Sequence, residues 1–279
     1  LADNETESGS SAEASKIIPF PGTSKLSEKL KKLRTEISML ILERDDLLLQ
    51  TCPNIEAAYL LKIGGLEYSV YSAQCDYLRQ KRRFELIAAR YNRGEKAVLS
   101  EIEAQLDAEF EEYRQKLNDR LDEMSAAALR SQNAALSGAD AKKLKSFYRR
   151  IAKCLHPDLH PDITEHELRL FFAAKEAYAN GDLSTLSAIA EAAEGIIPAL
   201  PPEEDSLQEL SRQKDHLREV LEQLKKDISQ IKSRYPYTLM ALLDDEVKLN
   251  EYRAELEKSL KEYKAAAADY TRKAKWLVL

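Results

Sequence analysis

Three observations predict an all-α chain built from long helices. Eight glycines and nine prolines in 279 residues leave too few turn formers for a β-sandwich or barrel. Charged residues at 32 % beside hydrophobic residues at 44 % match the composition of long helices and coiled coils. Apolar residues also recur three and four apart along most of the chain, the repeat of a single helical face. No uncharged apolar run approaches the ~20 residues of a membrane-spanning helix, so no membrane is expected as a partner. The expected architecture is a set of long antiparallel helical hairpins or coiled coils flanking one small, different unit.

Residues 1–24 read as a disordered tail, acidic and Ser-rich, without the apolar core of a secretory signal. Cys52, Cys75 and Cys154 show no CxxC spacing and read as free thiols in a reducing compartment, which points to the cytoplasm. Residues 25–135 read as an N-terminal long-helix hairpin. Its first helix carries Leu26, Leu30, Leu33, Ile37, Leu40 and Leu47 as a seam, with Arg44 in the one missing slot. Pro53 is expected to end that helix, because it has no N–H to continue the ladder. A second helix runs from about Ile55 to Tyr91, with Gly64-Gly65 marking close packing or a kink. After a turn at Asn92-Arg93-Gly94, a third runs from Glu95 to about Ala135 on Val98, Ile102, Leu106, Phe110, Tyr113, Leu117, Leu121 and Met124. Short connections make such helices antiparallel neighbours.

Residues 196–205 read as a Pro-rich linker, and Ser206 with Glu209 as a capping box. Residues 206–279 then read as an antiparallel coiled-coil hairpin turning at Tyr235-Pro236-Tyr237, or as a coiled coil completed by a partner chain. One strand carries Leu207, Leu210, Leu217, Leu221, Leu224, Ile228 and Ile231. The returning strand carries Leu249, Leu256, Leu260, Tyr263, Ala267, Tyr270, Ala274 and Leu277. Its mixture of Tyr and Ala implies large residues packed opposite small ones. Heptads specify association and carry no chemistry, so these arms are read as surfaces for a client, a partner or a second copy.

Residues 136–195 break the heptad rhythm. Asp140 is a plausible N-cap for a helix with Leu144, Phe147, Tyr148, Ile151 and Leu155 on one face. Its other face is basic, with Lys142, Lys143, Lys145, Arg149, Arg150 and Lys153 in a protein of net charge -6. The helix ends at His156-Pro157-Asp158, and a second His-Pro-Asp follows at 160–162. Pro157 and Pro161 imply an extended loop. Thr164 and Glu167 form a capping box for the next helix, whose apolar face is Leu168, Phe171, Ala174 and Tyr178; Asn180-Gly181 caps its end. Asp182 to Leu186 opens a further short helix.

This segment resembles the J-domain of the DnaJ co-chaperone family. The family's YxxLAxxxHPD-like ending is matched by Tyr148 to Asp158, and its KFKEIxEAY-like pattern by Phe171, Ala174, Lys175, Glu176, Ala177 and Tyr178. The likeness covers about a fifth of the chain. The family's opening short helix is not recognisable before Asp140, and the end of the third helix is expected to stand in for it. The resemblance implies docking on a DnaK-type ATPase chaperone through His156, Pro157 and Asp158 and the basic residues Lys142, Lys145, Arg149, Arg150 and Lys153. Tyr148, Ile151, Leu155, Phe171 and Tyr178 would form the core of the unit. Asp158 would meet an arginine of the chaperone, and docking would stimulate ATP hydrolysis in the partner by allosteric coupling.

Other classes fit less well. His156, His160 and His166 lie near Cys154, Asp158 and Asp162, yet show no familiar metal-ligand spacing, so no metal or other cofactor is expected. No P-loop, GxSxG or HExxH is present, and no enzymatic activity is expected. The basic helix lacks interleaved aromatic platforms, which argues against nucleic acid. The sequence thus predicts a J-domain-type co-chaperone with coiled-coil arms; the alternative is a structural coiled-coil scaffold carrying a degenerate J-like unit.

Overall fold

A computed structural model describes residues 21–133, 137–160, 162–194 and 207–278. The disordered tail expected at 1–24 falls outside these residues up to position 20, and 21–24 already belong to α1. The expected linker at 196–205, Ser206 and Pro161 also lie outside them.

The all-α class holds: every regular element among the described residues is helical. The largest is a rod of five consecutive pieces. These are α1 (Pro21–Asp46), a π turn (Leu47–Thr51), α2 (Cys52–Tyr59), a second π turn (Leu60–Gly64) and α3 (Gly65–Asn92). At 1.5 Å per residue the rod is roughly 105 Å long.

Pro53 does not end the first helix as expected, and the reason is local chemistry. Proline cannot donate to the carbonyl four residues earlier, which is that of Leu49. The preceding π turn, closed by the Cys52 N–H on the Leu47 carbonyl, accommodates the ring. Arg130, arriving from another helix, donates to the orphaned Leu49 carbonyl at 3.1 Å and to Asn54 Oδ1 at 2.8 Å. Gly64 closes the second π turn. A Cβ there would lie 3.3 Å from Leu60 and 3.6 Å from Met124, so the glycine marks a close approach of the returning helix.

After the turn at 93–98 the chain returns antiparallel as α4 (Leu99–Glu109) and α5 (Glu111–Asn133), interrupted at Phe110. Arg90–Glu101, Arg82–Glu109 and Arg120–Glu67 record the reversed direction. The expected hairpin is present here, with Ile102 and Leu106 buried against Ile87. Val98 and Leu121 of the predicted stripe are exposed.

The C-terminal arms depart from expectation. The seam of α9 (Leu207–Lys232) packs on α1, where Leu217, Leu221 and Leu224 bury with Leu30, Ile37 and Ile41. A 3₁₀ turn (Tyr237–Leu239) and α10 (Met240–Leu243) then lead into α11 (Glu246–Val278), which lies along α3. Both helices run parallel to the rod. Glu36 and Glu43 pair with Lys225 and Lys232, and Tyr77 and Phe84 meet Tyr263 and Tyr270. The expected antiparallel hairpin is therefore replaced by one chain that follows the rod in its own direction. The heptads find their partners within the chain. Tyr77 sits 5.9 Å from both Tyr263 and Tyr270, so aromatic rings meet aromatic rings along this seam, and Ala267 between those two tyrosines in sequence is buried.

The remaining unit comprises α6 (Gly138–Leu155), α7 (Glu165–Asn180) and α8 (Leu183–Glu194). Ser137, not Asp140, is the N-cap of α6, accepting from the Asp140 N–H. The Thr164–Glu167 capping box forms, and Gly181 ends α7 at φ 71°. Tyr148, Ile151, Leu155, Phe171 and Tyr178 are all buried in one core with Leu186 and Ala190 of α8. Among the described residues, Leu42 and Leu49 of the rod pack against that core; the end of the expected third helix, 134–136, lies outside the described residues.

Arg130→Met removes both donors that let the rod pass Pro53. It is expected to cost about 1–3 kcal/mol in urea unfolding, the usual range for one orphaned partly buried acceptor, here the Leu49 carbonyl.

Candidate functional site

Near its first π turn the rod places four charged residues in succession, of which Glu43 pairs with Lys232 and Arg44, Asp45 and Asp46 form the site. Asp45 is 1 % exposed. A buried carboxylate needs several donors. It accepts from Arg44 Nε at 3.1 Å and Nη2 at 3.0 Å, both on Oδ1, and from the Tyr148 hydroxyl at 2.6 Å on Oδ2. Asp46 accepts from the Tyr178 hydroxyl at 2.7 Å and from Lys145 Nζ at 2.8 Å. Gln50 donates to the Tyr178 carbonyl. The two tyrosines stack at 4.4 Å with an interplanar angle of 15°. Burial, together with the facing carboxylates, pushes both phenols well above their ordinary range, so they remain donors at any physiological pH. Two core tyrosines thus bolt α6 and α7 to the rod.

The His156-Pro157-Asp158 turn lies over the same arginine. His156 has the extended backbone required before proline, at φ -74° and ψ 126°. The turn beyond it is tight rather than extended, since Leu159 and His160 both donate their N–H to the His156 carbonyl at 3.0 Å. The imidazole is 3 % exposed and meets Phe171 edge-on at 4.9 Å. Its Nδ1 accepts from the Asp158 N–H at 3.0 Å, and its Nε2 lies 3.3 Å from Arg44 Nη2. Arg44 Nη1 lies 3.8 Å from the Asp158 carboxylate, whose side chain is 41 % exposed. Leu159 packs against the α1–α9 cluster.

Burial pushes His156 down to about 4 from an ordinary 6.5, with the Arg44 and Lys175 cations acting in the same direction and Asp158 and Asp45 opposing. The ring is neutral at pH 7 and carries one N–H and one lone pair. Two donors, the Asp158 amide and Arg44, compete for that lone pair. The arrangement is frustrated, and the longer contact to Arg44 is the weaker of the two.

Of the basic residues, Lys142, Lys145, Arg149 and Lys153 are three or four apart and share an exposed strip. Lys145 is committed to Asp46, unlike the rest of that strip. Arg150 is half-buried and lies 5.7 Å from the Phe147 ring. The histidines diverge: His160 Nε2 donates to the Lys153 carbonyl at 2.8 Å, and His166 is exposed on α7. Among the described residues no three His, Cys, Asp or Glu side chains form a group able to hold a metal. Sequence reasoning missed Asp45 and Asp46 entirely. The one trace of their role was Arg44 interrupting an apolar seam.

Between pH 4 and 6.5 the unfolded chain binds a proton at His156 that the folded chain refuses, so stability falls as the pH drops through that window. Between pH 7 and 4.5 a buried His156 contributes a loss of about 2 kcal/mol. His156→Gln is expected to reduce the pH dependence of urea unfolding by about that amount.

No family model, curated protein or solved structure matches the chain.

Proposed function

We propose that the chain is a J-domain-type co-chaperone. It would dock on a DnaK-type ATPase chaperone through α6 and the His156-Pro157-Asp158 turn and stimulate ATP hydrolysis there. The observation that carries the reading is the joint placement of two features. An exposed basic strip on α6 runs directly into a rigid turn whose carboxylate remains partly open to solvent. Lys142, Arg149 and Lys153 suit an acidic groove, where charge complementarity speeds encounter and sets register. Pro157 limits the conformations of the turn, and Asp158 offers an oxygen pair to an arginine, a charge-assisted contact. The buried Tyr148, Ile151, Leu155, Phe171 and Tyr178 keep the two helices antiparallel behind that surface. No bond is broken by this chain; its effect is a shift in the partner's equilibrium. The parallel arms leave exposed rod surface for a client or a second copy.

One observation favours a structural scaffold instead. Arg44 of the same chain already contacts both His156 and Asp158. A scaffold would use the turn only to fasten α6–α8 to the rod.

The two readings separate in single-turnover ATP hydrolysis by a DnaK-type chaperone. The co-chaperone reading expects stimulation by the full chain and its loss in His156→Gln and Asp158→Asn, with helicity by circular dichroism unchanged. The scaffold reading expects no stimulation at any concentration.

A further inference from the structure

We infer that the rod masks the His156-Pro157-Asp158 turn, with Arg44 occupying in cis the place of the arginine that a chaperone would offer to Asp158. The inference rests on the co-chaperone reading and adds a control to the same site.

The mask has two arms. The polar arm is Arg44, whose Nη1 lies 3.8 Å from Asp158 Oδ2 and whose Nη2 lies 3.3 Å from His156 Nε2. The apolar arm is Leu159, which follows the turn and packs against the cluster formed by α1 and α9. Together they fasten the turn to the rod, with Asp158 half-exposed, while Lys142, Arg149 and Lys153 stay exposed.

The polar arm is built to release. The ion pair is long, and its carboxylate is 41 % exposed, a setting in which such pairs contribute little. The contact to His156 competes with the Asp158 N–H for one lone pair. Arg44 also keeps both of its bonds to Asp45 if the turn lifts away. No buried charge is left without a partner, so opening avoids the large penalty that usually locks such networks. An acidic partner surface can therefore engage the exposed strip first, and its arginine then takes Asp158 from Arg44.

The test is stimulation of single-turnover ATP hydrolysis by a DnaK-type chaperone. The full chain is compared with Arg44→Gln and Leu159→Ala, each also combined with Asp158→Asn. Masking expects the half-maximal concentration to fall by up to about fivefold in Arg44→Gln and in Leu159→Ala, the factor that one weak contact supplies. Asp158→Asn is expected to abolish stimulation in every background. Stimulation by both single variants that is equal to or weaker than that of the unaltered chain overturns the mask and leaves the co-chaperone reading in place. Stimulation that survives Asp158→Asn, or that is absent from all the proteins, overturns the co-chaperone reading and the mask with it. Should Arg44→Gln fail to fold because Asp45 loses its cation, Leu159→Ala, which leaves Asp45 fully bonded, decides alone.

Discussion

The Asp45 carboxylate is the constraint around which the molecule is arranged. An acid with 1 % exposure is tolerated only where donors are supplied from fixed directions. Here one donor comes from the neighbouring residue on the rod and the other from the core of α6. The requirement is mutual. The Tyr148 hydroxyl is buried too and would be an orphan without Asp45. Satisfying one satisfies the other only at one orientation of the α6–α8 unit. Asp46, Tyr178 and Lys145 repeat the logic one residue along and remove the remaining rotational freedom.

The irregular backbone next to this pair serves the same end. Each single-turn π insertion contributes an extra residue and changes which side chain faces a given side by about 100°. Before the first insertion, Leu30, Ile37 and Ile41 face α9. Beyond the second, α3 presents Tyr77, Phe84 and Ile87 to α11 and α4. At the end of α1, still ahead of the first insertion, Asp45 and Asp46 face the α6–α8 unit, and Gln50 joins them from within that insertion. Without these insertions a straight helix would carry its seam along one drifting stripe. With them the part of the rod that meets α11 and α4 is turned relative to the part that meets α9 and the α6–α8 unit. Glu67 locks the arrangement just beyond the second insertion by accepting from Tyr59, Tyr252 and Arg120, which belong to the rod, α11 and α5.

Much of this was legible in the chain. The period of Leu144, Tyr148, Ile151 and Leu155 and the Thr164–Glu167 and Asn180-Gly181 signals are local, and local rules placed them correctly. The direction of the C-terminal arms was not legible. Heptads state that a partner exists without stating which one, and nothing local opposed a hairpin at Tyr235-Pro236-Tyr237. Pro53 misled because its cure lies 77 residues away, in Arg130. Asp45 was hidden for a related reason. A charged pair on a helix normally faces water, and only the loss of seam character at Arg44 hinted at a different environment.

That misplaced arginine also explains why the site can be both tightly built and open to change. Arg44 has a strong side and a weak side. Two guanidinium nitrogens are anchored on a carboxylate that has 1 % exposure and cannot move, which fixes the plane of the group. The remaining reach extends over a neutral imidazole already claimed by a backbone amide and toward a half-exposed acid at 3.8 Å. The strong side belongs to the fold and the weak side to the turn. A fixed cation presented at low strength is what an exchangeable contact requires. It defines where Asp158 rests, and under the masking we infer it would yield to a partner's arginine without disturbing the carboxylate beneath it.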